Sequence, residues 1–170
     1  MQTDIDLDAL RSYVGDHLAG SRAGTEVAER CADGSDGELE GYLRGFLDEL
    51  AQESATLRTT LDRLEVSPPL SRQAVTKAGA VVNVVRELLP GGYHALDRLR
   101  DLEALCVGVW GKRLLWSTLL RAATADERLA DLPYGELADQ AERQERDLLV
   151  WRDRAAAEAL GIPTGAPSGG

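Results

Sequence analysis

Residues 101–123 read DLEALCVGVWGKRLLWSTLLRAA and form the most apolar long run in the chain. The run contains Trp110 and Trp116, and signals that start and stop a helix lie on either side of it. A helix that is apolar on every side is normally buried among other elements. We therefore expect this segment to be enclosed by other helices, which decides the fold in favour of a helical bundle.

The rest of the chain supplies the other helices, because apolar residues recur there at helical spacing. We predict four long helices, over residues 6–32, 36–64, 96–123 and 133–160, with Ser35 and Glu38 forming a capping box at the start of the second. No segment shows the alternation of a strand. The prediction is one all-α domain over residues 1–160, followed by a disordered tail over residues 161–170.

A long connection separates the second and third helices, and it contains an amphipathic segment at residues 71–89. A strictly up-and-down bundle has short loops, whereas a long crossover returns the chain to its starting end. We therefore expect helices two and three to run parallel. The segment 71–89 either covers one face of the bundle or presents an apolar strip to a partner chain.

Charge and composition exclude several classes of protein. The net charge of −10 argues against nucleic-acid binding, which needs clustered Lys and Arg. The N-terminus does not have a basic segment followed by an apolar one, and no apolar run is long enough to cross a membrane. We therefore expect a cytoplasmic protein that does not bind membranes. Cys31 and Cys106 lack the close spacing of a zinc or redox site and predict reduced thiols.

Three short motifs carry a family resemblance: DHLAG at 16–20, VGVWGK at 107–112 with LW at 115–116, and AERQER at 141–146. In combination they resemble an uncharacterised ferritin-like family common in high-GC Gram-positive bacteria, over roughly residues 7–160. The resemblance implies a ferritin-like four-helix bundle with a long helical crossover between helices two and three. It implies no established activity.

Ferritin-like proteins with a di-iron centre usually offer a Glu on two helices and Glu-x-x-His on the other two. Glu-x-x-His does not occur in this chain, whose only histidines are His17 and His94. We therefore expect no complete di-iron site and no cofactor. The alternative is an iron site built from His17, Glu53, Glu103 and Glu145.

Helical angles and heights bring several polar residues to the middle of the predicted bundle. One hypothesis is that they form a polar layer of hydrogen bonds and ion pairs, in which a cation on helix three replaces the charge of iron. In the other interpretation the charged members lie on the flanks, with their heads in water. The residues of this predicted layer are His17, Ser21, Glu53, Ser54, Lys112, Arg113, Gln144 and Glu145.

Glycines in the first and third helices also have two interpretations. Gly20 and Gly24, like Gly108 and Gly111, could let a neighbouring backbone or a tryptophan pack closely. Gly108 and Gly111 could instead let a ligand approach the backbone. Close packing is the first expectation for both helices.

No catalytic residue is predicted, because no nucleophile elbow or phosphate-binding loop is present. The leading expectation is a non-catalytic structural or partner-binding protein, with a homodimer as one form and the identity of any other protein partner unknown. One alternative is a divergent metal-dependent carboxylate oxidase or iron-handling protein. Another is a bundle that binds a small molecule in its interior near His17 and Gly108.

Overall fold

A computed structural model describes residues 5–64 and 93–163 of the chain. These residues form four α-helices and no strand, which confirms the predicted all-α class. The helices are α1 (Leu7–Asp33), α2 (Gly37–Leu64), α3 (Ala95–Ala122) and α4 (Tyr134–Leu160), with a short 3₁₀ helix at Glu127–Leu129 before α4. The predicted amphipathic segment 71–89 and the tail residues 164–170 lie outside the described residues.

Local signals explain where the helices begin and end. The side chain of Asp6 accepts from the Ala9 amide and caps α1. Gly161 adopts φ of 63° after α4, in the left-handed conformation that glycine provides at low cost. The side chain of Ser35 donates to the Cys31 carbonyl at 2.7 Å, so it serves the end of α1 and not the start of α2, where the capping box was predicted.

Contacts between helix ends show the direction of each helix. Arg98, at the start of α3, contacts the Gly34 carbonyl just before α2, and Arg63, at the end of α2, contacts the Arg128 carbonyl just after α3. Helices α2 and α3 therefore run parallel, as expected from the long connection. Arg98 also pairs with Glu158 at the end of α4, so α4 runs antiparallel to both.

The helices occupy the four corners of a bundle. Helix α1 packs against α2 and α3, and α4 packs closely against α3 and less closely against α2. As a result α2 and α3 lie at opposite corners, and any direct contact between their middles must cross the interior. Nine large apolar side chains in this interior have almost no exposed surface: Leu43, Leu64, Leu102, Leu115, Trp116, Leu119, Leu129, Tyr134 and Leu148.

The apolar helix α3 is not enclosed on all sides, contrary to the expectation from its composition. Its inner face carries Trp116 and Leu119, which are fully buried. Its outer face carries Val107, Trp110 and Leu114, which are 70%, 55% and 47% exposed. The reason is that α3 occupies a corner and, among residues 5–64 and 93–163, packs mainly against α1 and α4. No described helix combines the length and apolarity needed to cross a membrane.

Candidate functional site

A cleft of about 580 Å³ lies between α1 and α3 and reaches inward to α2. Its walls are mainly apolar, with Val27, Leu50, Leu105 and Val109 among the lining residues. The volume is within the range of roughly 300–1,000 Å³ that is typical of small-molecule sites. The cleft is therefore large enough to hold a ligand.

The sequence of α1 explains why the cleft is there. Between Val14 and Val27 this helix has no fully buried residue, because that stretch is made largely of glycine, alanine and polar residues. Larger side chains at both ends of α1, such as Leu10 and Cys31, fill the interior. The middle of α1 therefore leaves space unfilled against α3.

The glycines do not serve close helix packing, so the first expectation for them was wrong. Within the part of the chain that the structure describes, a Cβ atom placed on Gly20 or Gly24 of α1 would meet no neighbouring atom within 4 Å, and the same holds for Gly108 and Gly111 of α3. All four glycines line the cleft. Their missing side chains enlarge the space between the helices.

Lys112 and Glu53 form a buried ion pair in the bundle interior. The Lys112 amino group lies 2.6 Å from Glu53 Oε2, and the two side chains are 12% and 4% exposed. Lys112 is on α3 and Glu53 on α2, so the pair joins opposite corners of the bundle. Burial lowers the pKa of Lys112, although the carboxylate of Glu53 opposes that shift.

Two glutamines of α4 complete the surroundings of Glu53. Gln140 Nε2 and Gln144 Nε2 donate to Glu53 Oε1 at 2.9 and 3.1 Å. Gln144 Nε2 also lies 2.5 Å from Glu49 Oε2. Both oxygens of the buried carboxylate thus have donors, which offsets much of the cost of removing the charge from water.

Arg113 and Glu145 form a second ion pair at the edge of the bundle. Arg113 NH1 lies 2.6 Å from Glu145 Oε2, and the side chains are 41% and 25% exposed. Arg113 and Glu145 are thus partly exposed, as in the interpretation that places the charged residues on the flanks of the bundle. Lys112 and Glu53, in contrast, are buried in the interior. The structure therefore divides the eight residues of the predicted layer into an inner and an outer group.

The remaining residues of the predicted layer lie on the α1 side. Ser21 Oγ is 2.6 Å from Ser54 Oγ, which joins α1 to α2. His17 is half-buried, lines the cleft and packs edge to face against Tyr13, with ring centroids 4.7 Å apart. Burial lowers the pKa of His17, and Asp16 opposes this shift.

The alternative iron-site residues do not converge on one point in the structure. Glu53 pairs with Lys112, Glu145 pairs with Arg113, and Glu103 pairs with Arg152 at 2.7 Å. Over residues 5–64 and 93–163, no three side chains of the His, Cys, Asp and Glu types are placed to hold a metal ion.

Sequence reasoning missed a buried acidic residue, Asp101, near the start of α3. Asp101 on α3 accepts from Arg30 Nε and from Tyr93 OH, both at 3.0 Å. These bonds tie the end of α1 to the start of α3. The sequence contained no local signal for this cluster, because its members are far apart in the chain. In contrast, Gln140 and Glu49 lie one helical turn before Gln144 and Glu53, and that spacing could have identified them.

Comparisons with protein-family models, with curated proteins and with solved structures found no significant match to this chain.

Proposed function

We propose that this protein is a non-catalytic helical bundle that binds a small apolar molecule in the cleft between α1 and α3. The observation that supports this most directly is the apolar cleft of about 580 Å³, lined by four glycines that no neighbouring atom fills. His17 and Gly108, the residues of the small-molecule alternative from the sequence, both line it. The function therefore depends on the space between the helices.

Apolar burial would supply the binding energy. A ligand in the cleft would lie against Phe46 and Leu57 of α2, Val27 of α1 and Leu105 of α3. Each Å² of apolar surface removed from water contributes about 25 cal/mol, from which the cost of association is subtracted. A small apolar ligand can therefore bind without a dedicated ion pair.

The proposal includes a ferritin-like architecture for the bundle. The parallel course of α2 and α3, with a long connection between them, supports it. At mid-height, where ferritin-like bundles usually hold metal, this chain has Lys112 paired with Glu53. In this proposal the ammonium group supplies the positive charge that a metal would otherwise bring.

Partner binding is the second candidate, and the outer face of α3 favours it. Val107, Trp110 and Leu114 follow one another at spacings of three and four residues and are exposed. Exposed apolar side chains at this spacing are typical of a helix face that contacts a protein. The cleft experiment below tests the first candidate and leaves Trp110 and Leu114 of this face unchanged, whereas Val107 also lines the cleft.

The cleft proposal is tested by titrating the neutral dye Nile red, whose fluorescence rises in apolar surroundings. The wild type should bind it saturably, at about one dye per chain. The variant Gly24→Leu/Gly108→Leu places two side chains in the cleft and should weaken binding by roughly tenfold or more, which corresponds to about 1.4 kcal/mol.

Gly15→Leu is the matched control for this test. Gly15 lies on the same helix, a Cβ atom placed on it would meet no atom within 4 Å, and it does not line the cleft. It should bind the dye as the wild type does, and far-UV circular dichroism should show that every variant is helical. No saturable binding to the wild type, or equal binding to the filled variant, would contradict the proposal.

A further inference from the structure

Lys112 is one of the few polar residues in the mainly apolar lining of the cleft. Its side chain is 12% exposed. Its amino group lies 5.2 Å from the centre of the ring of Phe46, which also lines the cleft. An ammonium group this enclosed depends on the groups around it for hydrogen bonds, since little water reaches it.

The hydrogen bonds of Lys112 leave donor capacity unused. An ammonium group carries three donors and no acceptor. Among the described residues the amino group donates to Glu53 alone, at 2.6 Å, while the Phe46 ring offers a weaker cation–π contact. A buried donor without an acceptor costs free energy. A ligand oxygen beside Lys112 would accept a hydrogen bond from one of these unused donors, and this bond would stabilise the complex.

The charges of the cleft argue against a charged ligand. Glu53 already balances Lys112, and Asp16 adds a further negative charge to the lining. Burial lowers the pKa of His17, so the imidazole adds no full positive charge near neutral pH. A carboxylate ligand would raise the negative charge further, and an ammonium ligand would face the amino group of Lys112.

These observations together define a ligand class, given the cleft function proposed above. We infer that the cleft selects uncharged apolar molecules with a carbonyl group, such as ketones or esters, whose oxygen accepts a hydrogen bond from Lys112. A carbonyl oxygen only accepts, and an ammonium group only donates. The apolar remainder of the ligand lies against α1 and α2.

Competition against bound Nile red tests this inference with four probes of similar chain length. They are methyl octyl ketone, decanoate, decylammonium and decane. For the wild type at neutral pH, the ketone should displace the dye at a concentration roughly tenfold or more below that needed for each of the other three. Displacement by decanoate at an equal or lower concentration would overturn the inference.

The double variant Lys112→Met/Glu53→Gln removes both charges and leaves neither of them buried alone. It should bind decane as the wild type does and should bind Nile red more weakly, because the dye also carries a carbonyl oxygen, while the advantage of the ketone over decane disappears. The matched control is Arg113→Met/Glu145→Gln, which removes the neighbouring ion pair outside the cleft and should keep the advantage. An unchanged advantage in the first variant would overturn the inference.

The two proposals fail in distinguishable ways. If the wild type does not bind Nile red or decane, the cleft is not a ligand site, and the proposed function is wrong. If both bind and the ketone has no advantage over decane, the ligand class is wrong and the cleft function stands.

Discussion

Glu53 and His17 show how partners from other helices decide the burial of a single residue. Helical angles and heights placed both residues in the middle of the predicted bundle. In the structure Glu53 is nearly fully buried, because Lys112, Gln140 and Gln144 all donate to it. His17 is half-buried, because the cleft opens beside it.

The lowered pKa of His17 makes part of the stability depend on pH. Unfolding returns the imidazole to its ordinary pKa of about 6.5, so in mildly acidic solution the unfolded chain binds a proton that the folded chain does not. The free energy of unfolding should therefore fall as the pH is lowered from about 7 to about 5.

His17→Gln should remove the His17 part of that fall. Urea unfolding curves of both proteins, recorded across this pH range, measure it. The difference in unfolding free energy between wild type and variant should shift in favour of the variant as the pH falls. Parallel pH profiles for the two proteins would show that the burial of His17 has no effect on stability.

At the scale of the helix, glycines at different positions have opposite surroundings. Gly24 and Gly108 border open space, whereas Gly34, at the end of α1, lies against the ring of Tyr93. Tyr93 cannot easily move away, because its hydroxyl donates to Asp101. Gly161 is different again, since it ends α4 with a positive φ of 63°.

Alanine substitutions at two of these glycines should therefore have opposite effects. Gly34→Ala puts a Cβ into the Tyr93 ring and should destabilise the protein by about 1–3 kcal/mol, as overpacking does. Gly24→Ala meets no atom and should stabilise it by up to about 1 kcal/mol, the difference in helix propensity.

Thermal and urea unfolding of the two alanine variants, compared with the wild type, measure this contrast. Tyr93→Ala/Gly34→Ala is the control for the mechanism, because removing the ring should abolish the extra cost of the Cβ. A destabilising Gly24→Ala would mean that α1 and α3 pack closely after all.

At the scale of the whole molecule, the pair between Lys112 and Glu53 joins α2 and α3 across the interior. These helices occupy opposite corners, and among the described residues the main packing contacts of α2 are with α1, α4 and the 3₁₀ helix. A buried pair contributes little net stability compared with apolar residues of the same size. Its larger effect appears when one partner is removed and the other charge stays buried.

Lys112→Met should accordingly destabilise the protein by about 3–5 kcal/mol, since Glu53 would keep an uncompensated buried charge. The double variant Lys112→Met/Glu53→Gln should be far less destabilised. Urea unfolding followed by far-UV circular dichroism measures both.

Arg113→Met supplies the comparison with a partly exposed pair. Because Arg113 and Glu145 remain in contact with water, its cost should be about 1 kcal/mol or less. If Lys112→Met cost no more than the double variant, Glu53 would not depend on Lys112 for its charge compensation.

The sequence by itself determined the four helices, their ends and the parallel course of α2 and α3. These features depend on the spacing of apolar residues, on capping residues and on the length of the connection. All three can be read from the sequence without knowing how the helices pack. The resemblance to ferritin-like proteins and the expected lack of a di-iron site remain predictions.

Only the tertiary structure decided whether the glycines face a neighbour or a cleft, and which charged residue is buried. A glycine lacks a side chain in either case, and the position of its neighbours in the packed bundle decides whether that volume is filled, as at Gly34, or open, as at Gly24. Likewise, a carboxylate such as Glu53 can be buried only where donors from other helices converge on it, and that convergence is a property of the packed bundle.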